Sequence, residues 1–253
     1  MKLSGNKKLK WIEGVIVIFL LVITINFSNT QWNNKICKKC IISIVDDKIQ
    51  RFVRHNNITE VLSSNNISPL GTKLSALISR NIANLIIKGC TFVGDIIVYK
   101  TLNAELILVV FPRKPIARIS CISQPDKYID KNGLLLPMSD QYTDRVLIVD
   151  TAQRIVVKKF TENTYWSSVL ELIKYIYENI FWRYQIAHMN IGVDSKITLC
   201  THLGNESIEF GLPIDLEKKF AKLGLYYKNI VSYKGWNKYK RINLEFQNQI
   251  LCE

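Results

Sequence analysis

Hydrophobic and polar residues alternate along the last part of the chain, in the stretch YKRINLEFQNQILCE. The apolar residues that share one side are Ile242, Leu244, Phe246 and Ile250, with Asn248 as the one break among them. The residues on the other side are Arg241, Asn243, Glu245, Gln247 and Gln249. A period of two is typical of a half-buried strand, so the pattern predicts a β-strand from Arg241 to Ile250.

An apolar run lies close to the start of the chain. From Trp11 to Phe27 the only charged residue is Glu13, and four lysines precede the run, Lys2, Lys7, Lys8 and Lys10. The run predicts a single transmembrane helix over residues 11–28, after a cytoplasmic tail of residues 1–10. A cleaved signal peptide and a buried soluble helix are the alternatives. The segment NFSNTQW that follows has no good small-x-small cleavage site, and a soluble helix is rarely so uniformly apolar.

The residues after the anchor predict a small α/β domain over 37–116, with the element order β-α-α-β-β. Its segments are CIISIV (strand), FVRHNNITEVL (helix), TKLSALISRNIANLII (helix), FVGDIIVYK (strand) and ELILVVF (strand). Thr72 is a plausible N-cap of the second helix, and Asn103 supplies turn chemistry between the two last strands. Pro112 and Pro115 then exclude a helix and predict an extended stretch into the next domain.

Residues 117–253 predict a mostly β domain with flanking helices. Asn132-Gly133 between two apolar runs is a strong hairpin signal. The other predicted strands lie in RVLIVD, RIVVKKF and, three of them, HMNIGVDSKITLCTHLGNESIEFG. The predicted helices lie in NTYWSSVLELIKYIYENIF and LPIDLEKKFAKLG, and Gly224 fits a C-terminal stop of the second one. The fold class is therefore α+β.

Composition and motifs favour no chemistry. Hydrophobic residues make up 48% of the chain, and the formal charge is +13 with the basic residues spread along the sequence. No nucleic-acid motif accompanies that charge, so we expect no nucleic-acid partner. No signature of a nucleotide, zinc or serine-hydrolase site occurs, so we expect no cofactor, metal or small-molecule substrate. The nearest approach to a catalytic set is His188, His202, Asp194 and Glu206, and structural or surface roles are the simpler interpretation.

Six cysteines occur, and two of them, Cys37 and Cys40, form a C-x-x-C just after the anchor. A redox pair or half of a zinc site is one interpretation, but nothing in the sequence completes a metal site. Outside the cytoplasm the six could pair. Most lie beside apolar runs, so structural roles are favoured.

Several segments, in order, resemble the bacterial cell-division family FtsQ/DivIB in its Bacteroidetes-like form. FVRHNNITEVL is similar to the start of the family's POTRA domain and VYKTLNAELILVVFPRKPIARI to its close. YIDKNGLLLPMSDQYTDRVLIV is similar to the start of the family's β-domain. LGNESIEFGLPIDLEKKFAKLGLYY and GWNKYKRINLEFQNQILC are similar to its end.

The resemblance implies a non-enzymatic scaffold of the divisome, anchored in the inner membrane with its bulk in the periplasm at the septum. Such proteins link early and late division proteins and hold an FtsB/FtsL coiled-coil pair, with FtsB adding a strand to the last strand of the β-domain. The POTRA domain is implicated in contacts with other division proteins. High charge and many cysteines depart from the family pattern.

Two interpretations of the last strand remain open: an open edge that recruits a partner strand, and an interior strand with both neighbours supplied by the chain. The resemblance favours the open edge. The residues expected to bind the partner are Trp236, Tyr239, Arg241, Ile242, Asn243, Leu244, Glu245, Phe246, Gln247 and Asn248. Other functions considered are a secreted or membrane-anchored enzyme and a POTRA-type transport module.

Overall fold

A computed structural model describes most of the chain, namely residues 5–45, 52–122, 124–139, 142–236, 238–247 and 249–253. Contacts divide the chain into two compact units, Met1–Pro112 and Arg113–Glu253. Each unit has its own hydrophobic cluster.

Helix α1 spans Gly5–Asn33 and contains the apolar run. The segment Gly14–Trp32 is long and apolar enough to cross a membrane, with a mean hydropathy of 1.7 and none of its window buried. A signal sequence near an N-terminus meets the same criterion. The candidate span begins three residues later than the predicted 11–28 and extends past its end.

The rest of the first unit has the predicted order β-α-α-β-β. Its elements are β1 (Lys39–Ile44), α2 (His55–Ser64), α3 (Ser79–Gly89), β2 (Val93–Lys100) and β3 (Glu105–Pro112). The sheet order is β1-β3-β2, with β1 parallel and β2 antiparallel to β3. Ile58 and Leu62, four residues apart on α2, are buried in this unit's hydrophobic cluster.

Helix α3 begins at Ser79, so the prediction that Thr72 caps a helix from that position is wrong. The backbone before Ser79 is used elsewhere. The carbonyl of Thr72 accepts from the N–H of Cys37, and the N–H of Leu74 donates to the carbonyl of Lys35. These long-range bonds hold Leu74 in the core, where it is completely buried, and they compete with a helical turn.

The second unit is built on a nine-stranded sheet in the order β12-β11-β10-β9-β8-β7-β4-β5-β6. Its strands are β4 (Pro115–Cys121), β5 (Gln124–Asp130), β6 (Leu135–Pro137), β7 (Leu147–Thr151), β8 (Ile186–Ile191), β9 (Ile197–Thr201), β10 (Ser207–Gly211), β11 (Arg241–Asn243) and β12 (Leu251–Cys252). Five of the eight neighbouring pairs are antiparallel. The predicted strand in RIVVKKF does not form. In that segment, Lys159 makes one isolated antiparallel β-bridge to Leu134.

Helices share the core with this sheet. They are α4 (Thr164–Glu178), α5 (Ile180–Gln185), α6 (Leu216–Tyr226) and the three-residue α7 (Ser232–Lys234), with a short 3-10 turn at Phe160–Glu162. The long predicted helix breaks at Asn179, whose side chain accepts from the N–H of Trp182 and caps α5. Asn163 caps α4 in the same way through Trp166. Both asparagines satisfy N–H groups that a helix start leaves free.

The helical path after Leu216 continues through Gly224, which contradicts the predicted stop at that residue. A π-helical turn, Tyr227–Val231, joins α6 to α7, and the path ends at Gly235 with φ of 79°. Tyr226 and Val231 are buried, so packing continues the helix beyond the residue where local sequence signals favour its end.

Two of the segments that resemble the family meet at the start of this unit. They are VYKTLNAELILVVFPRKPIARI, which contains Arg113, and YIDKNGLLLPMSDQYTDRVLIV, which contains Asp130. An ion pair of 3.0 Å joins Arg113 to Asp130, whose side chains are 19% and 5% exposed. The other carboxylate oxygen of Asp130 accepts the N–H groups of Asn132 and Leu134, both at 2.9 Å. Gly133 occupies the hairpin turn with φ of 75°. One carboxylate thus sets both the turn and the entry to β4.

Candidate partner-binding edge

The end of the sequence forms one rim of the nine-stranded sheet. Strand β11 pairs in parallel with β10, from Ser207 opposite Arg241, and β12 pairs antiparallel with β11 on the other side. The predicted strand from Arg241 to Ile250 is therefore wrong beyond Asn243: only β11 forms within it, and the outermost strand, β12, follows at Leu251–Cys252. Strand β11 is not itself the edge.

Side chains explain why the alternating pattern does not continue as one strand. The side-chain oxygen of Asn243 accepts the N–H of Glu245 at 2.8 Å, which turns the chain two residues on. Lys222 of α6 then donates to the carbonyls of Leu244 and Phe246. These bonds hold the connecting loop, so the polar positions after Asn243 do not lie in a ladder.

The pairing between β11 and β12 fixes which main-chain groups face outward. Arg241 and Glu253 exchange two N–H to carbonyl bonds, each of 3.0 Å. Ile242 and Cys252 are consequently a non-hydrogen-bonded pair. By alternation, the N–H and carbonyl of Cys252 point away from β11, toward the outside of the sheet.

Charged side chains cross the outer face of this rim. Glu209 of β10 accepts from the Arg241 guanidinium at 2.6 and 3.0 Å and from the Asn243 amide at 2.8 Å. Arg241 also lies 3.1 Å from Glu253, and Lys196 lies 2.9 Å from Glu245. Glu209, and to a smaller extent Glu253, raise the pKa of Arg241. They keep the rim soluble, and as exposed ion pairs they add little stability.

The residues expected to bind a partner divide into two groups. Ile242 and Leu244 are completely buried and hold the rim in the core. Phe246 is 45% exposed and Trp236 is 46% exposed. Tyr239 is partly buried against the same core, and its hydroxyl lies 3.2 Å from Lys234 Nζ. The exposed or half-buried polar members are Arg241, Asn243, Glu245 and Gln247, and Asn248 lies outside the described residues.

An aromatic group adjoins the rim and was not predicted as a unit. The centroid of the Trp236 ring lies 5.8 Å from the centroid of the Tyr227 ring. The Tyr227 centroid lies 6.0 Å from that of the Phe181 ring. Phe181 is 52% exposed. The sequence signal was an aromatic run, IFWRY, beyond the break at Asn179. Sequence reasoning also missed Glu209 and Lys222, because both act on the rim across long sequence separations.

The four residues considered for catalysis occupy separate structural settings. His188 lies 3.6 Å from Asp150 on neighbouring strands, and Asp194 accepts from the N–H of Lys196 within a turn. Glu206 is buried and accepts from the hydroxyl of Tyr227, whose pKa is raised mainly by burial. The main-chain N–H of His202 donates to the carbonyl of Gln185. Among the described residues, no group of three acidic, histidine or cysteine side chains is placed to hold a metal.

The six cysteines, all in the described part of the chain, form no disulfide in the structure. Burial raises the pKa of the Cys40 thiol, and Cys37 next to it adds to that rise. A thiol with a raised pKa is less reactive at neutral pH.

Two protein-family models match this chain, one within each unit. A model described as FtsQ/DivIB, C-terminal related, matches residues 114–253, and a model described as a POTRA-like domain matches residues 35–110. A search of curated proteins found no match. The FtsQ/DivIB family comprises non-enzymatic scaffold proteins of bacterial cell division, so the sequence resemblance is confirmed at the level of the family. Because the first of these models covers more than half of the 253 residues, the chain belongs to the FtsQ/DivIB, C-terminal related family.

Proposed function

We propose that this protein is a non-enzymatic, membrane-anchored scaffold of the divisome that links early and late division proteins. It recruits an FtsB/FtsL-type coiled-coil pair at the C-terminal rim of its nine-stranded sheet, where a strand of the partner pairs with the protein's main chain. The family membership supports the role in cell division. The rim geometry is the observation that carries the mode of recruitment.

The rim has the features that strand pairing needs. Its outermost strand, β12, covers only Leu251–Cys252, so the sheet ends in a short ladder with main-chain groups directed outward. The sequence from Arg241 to Glu253 contains no proline, so every residue retains an N–H donor. Main-chain bonds give affinity in this mode of binding, and alternate side chains give register.

The exposed side chains beside the rim give the partner further contacts. Trp236 and Phe246 are each about half exposed, and tryptophan is among the residues that most often dominate interface energies. Arg241, which is 57% exposed, offers a guanidinium to an acidic partner residue.

The orientation in the membrane is part of the same proposal. The four lysines before the apolar run support an N-terminus in the cytoplasm and both folded units in the periplasm, and the family membership supports a position at the septum. The POTRA-like unit then meets other division proteins on that side of the membrane.

A pair of proline substitutions tests the rim. The alternation within β11 directs the N–H of Asn243 toward β12, so Asn243→Pro removes a donor of the ladder. The N–H of Glu245 is bonded to the Asn243 side chain, so Glu245→Pro removes a donor of the loop instead. The full chain in detergent is titrated with the FtsB- and FtsL-type proteins encoded in the same genome. We expect Asn243→Pro to weaken binding about tenfold or more and Glu245→Pro to weaken it less.

Tryptophan emission and circular dichroism establish that each variant is folded. If both folded variants bind the pair as tightly as the unchanged chain does, the rim is not the recruiting site.

A further inference from the structure

We infer that residues 249–253 occupy the place of the partner strand, and that the partner binds by displacing them from β11. This inference rests on the proposed recruitment at the rim and specifies how it occurs. The partner becomes the direct neighbour of β11 and is not added outside β12.

The first support is that β12 already uses the bonds a partner would make. The N–H groups of Lys240 and Arg241 both donate to the carbonyl of Glu253, at 2.6 and 3.0 Å. The N–H of Glu253 donates back to the carbonyl of Arg241 at 3.0 Å. A foreign strand can use these groups of Lys240 and Arg241 only after residues 249–253 have left.

The second support is that β12 has few contacts to lose. The strand is two residues long, and Leu251 is 45% exposed. Ile250 and Cys252 are only partly buried against the core. The ion pair between Arg241 and Glu253 joins side chains that are 57% and 54% exposed, and such pairs contribute little in water. Short, exposed elements of this kind open at low free-energy cost.

The third support is that β11 is held in place without β12. Its central side chain, Ile242, is completely buried, and β11 pairs with β10 over three residues. The N–H of Leu244 donates to the carbonyl of Glu209, and Lys222 binds the carbonyl of Leu244. Departure of β12 therefore leaves a fixed strand with unsatisfied groups along one side, which is a template for another strand.

The contacts of the resident segment also define the chemistry of the partner strand. It runs antiparallel to β11, as β12 does. The partner residues that take the positions of Ile250 and Cys252 face the core and are apolar. The partner residue opposite Ile242 is small, as Cys252 is. The residue in the position of Glu253 lies on the outer face beside Arg241 and carries a carboxylate.

A native thiol makes displacement directly testable. Cys252 lies opposite Ile242 in a non-hydrogen-bonded pair, in which Cα atoms are about 4.5 Å apart, within the range that a disulfide spans. In the full-length Ile242→Cys variant, oxidation should therefore join β12 to β11. We expect oxidation to weaken binding of the FtsB/FtsL-type pair about tenfold or more, and a reductant to restore it. The variant Ile242→Cys with Cys252→Ser has the same core change without the disulfide and should not respond to oxidation.

A second variant is independent of the disulfide. Deletion of residues 249–253 leaves β11 uncovered, so we expect binding to tighten about tenfold because the resident strand no longer competes. A synthetic peptide of residues 247–253 should compete with the FtsB/FtsL-type pair for this deletion variant.

The possible results separate the two proposals. If the oxidised variant, with its disulfide verified by mass, binds as the reduced one does, or if the deletion weakens binding, displacement is wrong and the partner pairs outside β12. Sensitivity of that binding to Asn243→Pro would then still uphold recruitment at the rim. If neither the unchanged chain nor the folded deletion variant binds the pair, both proposals fail.

Discussion

Single polar side chains determine where several elements of this protein begin and end. Asp130 binds two N–H groups of the hairpin turn and the Arg113 guanidinium, and Asn243 binds the N–H that ends β11. The Asp130 side chain binds three groups and the Asn243 side chain binds two. Loss of one such side chain leaves more than one group without a partner, which is costlier than loss of a single exposed bond.

Asp130 allows a matched comparison of a buried and a more exposed carboxylate. Asp130→Ala leaves Arg113 without its buried partner, so we expect the free energy of unfolding to fall by about 3 kcal/mol. Asp126→Ala removes the partner of Arg118, at 2.8 Å, in a pair whose side chains are 35% and 25% exposed. We expect a loss of about 1 kcal/mol there. Urea unfolding in detergent, followed by tryptophan emission, measures both, and equal losses would contradict a special role for Asp130.

Local residue patterns predicted some of these features and not others. Asn132-Gly133 specified its hairpin because the turn needs only neighbouring residues and a glycine at positive φ. The end of β11 was missed because Asn243 was interpreted as one polar position of a strand. Its turn is supported by Lys222 and Glu209, which lie far from it in sequence and come near only in the fold.

At the scale of elements, tertiary packing overrides local signals for helix ends. The helix begun at Leu216 passes through Gly224 because Tyr226 and Val231 beyond it are buried. Helix α3 begins after Thr72 because the residues around Thr72 bond to residues 35–37. Burial and long-range pairing of this kind are not encoded in a short window of sequence.

The two glycines of this helical path should respond oppositely to alanine. Nothing lies within 4 Å of a Cβ added at Gly224, and the residue is helical, so Gly224→Ala should stabilise the protein by about 0.5 kcal/mol. Gly235 has φ of 79°, which alanine adopts at a cost, so Gly235→Ala should destabilise it by about 1 kcal/mol. Thermal unfolding midpoints of the two variants give the signs. A lower midpoint for Gly224→Ala would place the helix end at that residue after all.

At the scale of the whole molecule, the order of elements was predictable and the order of strands in the large sheet was not. Helical and strand periods in the sequence identified the apolar helix α1, the β-α-α-β-β unit and most strands of the second unit. The sheet order depends on parallel pairings such as β4 with β7 and β10 with β11, which join segments separated by other elements. Nothing in the local pattern of either strand specifies such a neighbour.

The proposed membrane orientation gives a prediction for the intact cell. If the N-terminus is in the cytoplasm as proposed, an epitope tag placed before Met1 should survive proteinase K added to spheroplasts, while residues 40–253 are digested. Replacement of Lys2, Lys7, Lys8 and Lys10 by glutamine should increase the fraction of chains whose tag is digested, since positive charge sets the orientation. Digestion of the tag in the unchanged protein would contradict the proposed topology.

The position of β12 after β11 in the sequence has a consequence for biosynthesis. The ribosome makes Arg241–Asn243 before Leu251–Cys252, so in the proposed orientation β11 crosses the membrane before the segment that covers it. Under the proposed displacement, a strand from a previously translocated partner can then pair with the newly made β11 first. Assembly during translation would then avoid the competition that a finished, self-covered molecule presents.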